Sequence, residues 1–273
     1  MKECTIVEEF GGQGKNIFRC LEWENTSDWK QRLMNKLVPI IKEIYKPLSP
    51  EDILNALQNT NFSDLNFKSK LDLIPEKYNG SLPQFDIRRS DFAEIIARIT
   101  LQDLFQTKIP FDNIKMRERS DKSARGIDII GYEQSNDNKM QLIICEVKLS
   151  TEASPPQIVD QTEDSLNKQI KKHLENKEET TKRLLELYNK ITDQTQKQIL
   201  IKIIMMLITS NEDLSIVACP FLVRERRLYE KTDFGSFLTN QQQFSPATLR
   251  FIIVCFHEKL KDLFDTVFDE AKR

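Results

Sequence analysis

The chain has 273 residues, 39% of them hydrophobic and 30% charged, and its 40 Lys+Arg against 42 Asp+Glu leave a formal net charge of −2. That length suffices for one large domain or two small ones with a sizeable core, and the composition is that of a soluble globular protein. A balance this close to neutral excludes a globally basic polyanion binder, so a nucleic-acid partner would need a local basic patch.

From the N-terminus, strand-like "TIVEEF" and "NIFRCLEW" flank the glycine turn "GGQG". "GGQGKN" fails as a phosphate loop: Glu9 stands where the first glycine belongs, and Asn16 replaces the Ser/Thr that would hold magnesium. A helix is predicted in "SDWKQRLMNKLVPIIKEIY", and another from "SPEDILNALQ", with Ser49 as cap and Pro50 in its first turn. The irregular polar stretch from Phe62 to Ile87 then reads as a joint. It divides an N-terminal α+β part over 1–85, suited to binding a partner, from a second part over 86–273.

The next predicted helix is "RRSDFAEIIARITLQDLFQ", capped by Ser90 or Asp91, with Phe92, Ile95, Ile96 and Ile99 on one apolar face. A connector follows that holds Lys115, Arg117, Arg119, Lys122 and Arg125 against Glu118 and Asp121. It leads into a predicted hairpin, "GIDIIGYEQSNDNKMQLIICEVKLS". After Pro155-Pro156, a helical insertion over about 156–208 shows apolar residues at intervals of three to four. Its charge-rich stretch "KKHLENKEETTKR" is either a solvated face or a bend between two helices. A strand "LSIVACPFLV" precedes "RERR", and the chain closes on a strand-then-helix, "LRFIIVCFHEKLKDLFDTVFDEAKR". This order predicts a mixed α/β sheet flanked by helices.

The five cysteines are far apart, without CxxC, and read as reduced core residues of a cytosolic protein. His173 and His257 match no zinc spacing. No secretory leader or membrane span is expected: "MKECTIVEEF" lacks an apolar core, and "ILIKIIMMLIT" is short and broken by Lys202.

The hairpin carries charges that an apolar strand would normally exclude. Glu146 and Lys148, two apart, share one face of their strand, and Asp128 on the paired strand can lie beside them. Two adjacent carboxylates repel, and either the lysine or a divalent cation would relieve them. Magnesium suits such a site, and the lysine could orient or deprotonate an attacking water. Acid-x-Lys also occurs at Asp28, Asp137 and Glu175, but in predicted helices and a turn. The competing description is a polar sheet face with a cross-strand salt bridge worth under about 1 kcal/mol.

Other positions also admit two descriptions. Glu94 could join the carboxylates or pair with Arg98 one turn on. The basic connector is a solvated loop or a phosphate-contacting rim, and Arg224, Arg226 and Arg227 of "RERR" divide the same way. Gln161 either orders the site or is solvated.

A helix carrying Glu ("SDFAEIIARI"), a strand with Asp ("RGIDIIG") and a strand ending Glu-x-Lys ("LIICEVKLS") resemble the PD-(D/E)xK nuclease superfamily. The resemblance puts metal ligation on Asp128 and Glu146, catalysis on Lys148 and an accessory metal carboxylate on Glu94. Ile127 stands where the superfamily carries its hallmark proline. The layout from Arg88 to Ile191 also resembles HamA, the effector family of Hachiman antiphage defence, which works with a helicase, HamB. That resemblance implies a cytoplasmic DNA endonuclease using Mg²⁺, with Mn²⁺ able to substitute. It would leave a 3′-hydroxyl and a 5′-phosphate and stay silent under its helicase subunit. The alternatives are a non-catalytic α/β interaction subunit and a free-standing restriction-type endonuclease.

Overall fold

The computed structural model describes residues 4–12, 14–45, 85–110, 114, 126–134 and 139–272. The helix predicted from "SPEDILNALQ" and the basic connector lie outside the described residues. One six-stranded sheet organises the fold. Its strands are β1 (Cys4–Gly11), β2 (Ile17–Trp23), β3 (Ile129–Gln134), β4 (Met140–Ser150), β5 (Leu214–Glu225) and β6 (Thr248–Phe256), in the spatial order β1-β2-β6-β5-β4-β3. The central four run parallel, and antiparallel β1 and β3 form the edges. The two N-terminal strands therefore extend the sheet laid down by the rest of the chain.

Parallel strands must be covered on both faces, which accounts for the apolar character of β5 and β6. One face packs against α1 (Trp29–Ile44), α2 (Phe85–Phe105) and α8 (Leu260–Lys272) through side chains such as Leu37, Phe92, Ile96, Phe264, Val147 and Phe221. The other is covered by α4 (Leu166–Glu175), α5 (Lys177–Lys190) and α6 (Gln194–Ile208), together with the segment around Phe234, Phe237 and Phe244. Short helices α3 (Gln157–Asp160) and α7 (Gly235–Thr239) pack near the start of α4. Among the described residues, no helix is long and apolar enough to cross a membrane.

Local chemistry sets several element ends. Asn176 ends α4 and caps α5, its Oδ1 accepting from Glu179 N–H at 2.9 Å, so the charge-rich stretch is a bend. Asp193 caps α6 in the same manner, accepting from Gln196 N–H at 2.8 Å. The cap expected at Ser90 or Asp91 is not one: α2 begins at Phe85, which puts both inside the helix. Asp91 is fully buried and accepts a hydrogen bond from Tyr45 Oη instead, a contact between α2 and the end of α1.

Candidate active site

The β3–β4 register pairs Ile129 with Cys145, and the next step along the ladder sets Asp128 opposite Glu146. Gly126 turns the chain into this position with φ +95°, a conformation that a side chain disfavours. Gly131 serves differently: a Cβ there would come within 2.6 Å of Thr107, where Lys108 bridges to Tyr132. Asp128 Oδ2 accepts from Val147 N–H at 2.8 Å, which ties that carboxylate to the β4 backbone between Glu146 and Lys148 in the chain. Alternation along β4 sends Val147 into the core beneath α2 and turns Glu146 and Lys148 to the other face.

These three side chains share a cleft of about 810 Å³. Lys148 Nζ stands 3.2 Å from Glu146 Oε1 and 2.6 Å from Asp164 Oδ2, on the loop before α4. His173, in the last turn of α4, brings Nε2 to 3.6 Å from Glu146 Oε2. Glu146 and His173 are both buried, and neither that oxygen nor either ring nitrogen has a hydrogen-bond partner among the described residues. Arg89 donates to Leu149 O at 2.6 Å and ties α2 to the end of β4.

Among the described residues, Asp128, Glu146, Glu152, Asp164 and Glu179 line the cleft against Arg89, Lys148 and Lys172, so acids outnumber bases there. Burial pushes the Asp128 carboxyl well above the ordinary aspartate range, and the Glu146 charge adds to this, while the Val147 N–H pulls it down. Burial would lower the Lys148 ammonium, but Glu146, Asp164 and Asp128 more than offset it, so its pKa stands above the usual lysine value. Among the described residues, no three His, Cys, Asp or Glu are gathered closely enough to cage a metal. Magnesium does not require a protein cage: it takes one or two carboxylates and keeps water or phosphate oxygens in its other positions. Asp128, Glu146 and the orphaned Glu146 Oε2 fit that donor chemistry.

Of the residues singled out from sequence, the structure gathers Asp128, Glu146 and Lys148. Glu94 is buried on α2, one turn beyond Ser90 on the cleft wall, and is not itself on the lining. Lys115, Arg117, Arg119, Lys122 and Arg125 lie outside the described residues. Arg224 is no phosphate contact. Its side chain is wholly buried, and the guanidinium donates to Asp233 Oδ2 at 2.8 Å and to the carbonyls of Ser150, Glu152 and Leu228. Arg226 and Arg227 reach the surface already paired, with Glu22 and Glu225, each at 2.7 Å. Gln161 is exposed and does not line the cleft.

Asp164 and His173 stand against the Lys148–Glu146 pair, and sequence reasoning missed both. Asp164 left no signal, because its role depends on where a loop folds back. His173 did leave one: it lies three residues after Ile170, on the buried side of an amphipathic helix, where a polar residue needs a reason.

A family model for HamA matches residues 4–271, nearly the whole chain. The chain belongs to the HamA family. HamA is the effector of Hachiman antiphage defence, and the family implies a system that includes the helicase HamB. The HamA match runs from β1 to α8, and so takes in the cleft and the sheet edge beyond it. No curated protein and no solved structure matches the chain.

Proposed function

We propose that this HamA chain is a metal-dependent DNA endonuclease of the PD-(D/E)xK type, with Asp128, Glu146 and Lys148 as its catalytic centre. One observation supports the proposal: the β3–β4 register brings two carboxylates and an ammonium into a single cleft and leaves Glu146 Oε2 without a hydrogen-bond partner among the described residues. A structural salt bridge on a sheet would need neither the second acid nor the cleft.

Asp128 and Glu146 would hold Mg²⁺, or Mn²⁺ in its place. The ion supplies charge neutralisation at the phosphate and a more acidic water. Val147 N–H would hold Asp128 in place through Oδ2. Lys148, kept charged by its carboxylate neighbours, donates hydrogen bonds to the phosphate or to the attacking water and so aligns in-line displacement. Its bond to exposed Asp164 must loosen for that. Glu94, behind the wall, would act from outside the immediate ligand set. Lys115, Arg117, Arg119, Lys122 and Arg125, which directly precede Asp128 in the chain, would contact the DNA backbone. A HamB-like helicase subunit would keep the nuclease silent until activating DNA is engaged, consistent with a net charge too small for autonomous tight binding.

The test is plasmid cleavage by the purified chain together with its helicase partner in Mg²⁺. Lys148→Ala should lower the cleavage rate at least ~100-fold, the scale for losing a preorganised charge at the reacting phosphate. Cleavage by Lys148→Ala at the wild-type rate would overturn the assignment.

A further inference from the structure

His173 is only 3% exposed, and Glu146 4%. A buried imidazole ordinarily spends at least one ring nitrogen on a partner, and a buried polar atom left without one is costly. Here Nδ1 and Nε2 of His173 and Oε2 of Glu146 are all without one among the described residues, on the wall of one cleft. The closest approach between them is 3.6 Å, too long for a hydrogen bond. The two Glu146 oxygens are thereby divided, Oε1 facing the Lys148 ammonium and Oε2 facing the imidazole.

Nitrogen and oxygen donors on one ion, each ~2.1 Å from it, lie about 3.0–3.5 Å apart, close to the observed separation. We propose that His173 Nε2 and Glu146 Oε2 ligate the same divalent cation. His173 then gives the cleft a nitrogen donor, and with it a preference for Mn²⁺ over Mg²⁺. This rests on the metal site proposed above and adds a ligand to it from α4, an element that approaches the sheet from the side opposite α2. Asp128, Glu146 and His173 do not form a three-ligand cage as they stand, so the ion would draw His173 toward Glu146 by a small closure from 3.6 Å. The competing outcome is a plain His–Glu hydrogen bond formed by the same small closure.

Pulsed electron spin-echo spectroscopy of the full chain loaded with Mn²⁺ alone separates these outcomes. The chain has only two histidines, and His257 lies 2.5 Å from Glu22, on β2 rather than at the cleft. The wild-type spectrum should carry ¹⁴N modulation from a coordinated imidazole and change on ¹⁵N-histidine labelling. His257→Asn should keep the modulation. His173→Asn should lose it and bind Mn²⁺ at least ~10-fold more weakly, with a smaller change for Mg²⁺. Saturable Mn²⁺ binding that Asp128→Asn abolishes, but with no imidazole modulation in the wild type, overturns the His173 ligand and leaves the carboxylate site standing. No saturable Mn²⁺ binding by the wild type overturns both. The wild-type spectrum decides the matter even if His173→Asn does not fold.

Discussion

At the C-terminal end of β5, Arg224 is enclosed by Asp233 and three backbone carbonyls; on the neighbouring strand, at the end of β4, Glu146 and Lys148 face a cleft in which buried donors and acceptors remain unused. The register places Arg224 beside Ser150, only two residues beyond Lys148, so the two clusters occupy the same edge of one sheet. Both put charges where a strand would normally carry apolar residues. They differ in satisfaction. The Arg224 cluster pairs its charge with Asp233 and adds a hydrogen bond from Ser154 to that carboxylate. Among the described residues, the β4 cluster has more acids than bases, and a carboxylate oxygen and an imidazole without hydrogen-bond partners. A buried charge that is fully met holds the fold; one left incomplete is available for chemistry.

The sharpest way to break this contrast is Arg224→Ala. It strands the buried Asp233 carboxylate without a counter-charge, and chemical denaturation should show a loss of about 3–5 kcal/mol. A loss below 1 kcal/mol would mean that the cluster is not structural.

An intermediate effect is expected from pH. Burial raises the Asp233 carboxyl above its ordinary value of 3.8, against the opposing pull of Ser154 and Arg224. The folded protein therefore holds that proton more tightly than the unfolded chain does. The contribution of Asp233 to stability is complete below the ordinary aspartate range and is lost as pH rises through the raised value. Denaturation curves taken across that window should show the wild type losing stability relative to Asp233→Asn as pH rises. The opposite slope would mean that the ion pair outweighs burial.

The smallest effect belongs to Asp164→Asn. Its side chain is 69% exposed, so removing the charge should cost less than about 1 kcal/mol in spite of the 2.6 Å contact with Lys148. Cleavage should persist, because Lys148 keeps Glu146 as a neighbour. Loss of cleavage comparable to that of Lys148→Ala would make Asp164 part of the catalytic set.

Much of this was legible along the chain, where geometry is local. A period of two put Glu146 and Lys148 on one face, and hairpin pairing brought Asp128 to them. Helical periodicity identified α2, α4 and α5, and the apolar runs "LSIVACPFLV" and "LRFIIVCF" read as β5 and β6. The start of α2 was misplaced because Asp91 resembles a cap by type, while its real partner is Tyr45 on another helix. "RERR" looked like a basic patch, since sequence shows four charges in a row but not which of them a sheet will bury.

Side-chain direction and element type follow from spacings of two, three or four residues, and these the amino-acid sequence carries in full. Whether a charge is spent or available depends on residues far away in the chain. Asp233, Ser150 and Glu152 meet at Arg224 only once β4 and β5 are paired. His173 reaches Glu146 only once α4 has packed on the sheet. Burial is a property of the assembled layers, and the low dielectric it creates is what makes a met charge a clamp and an unmet polar group costly.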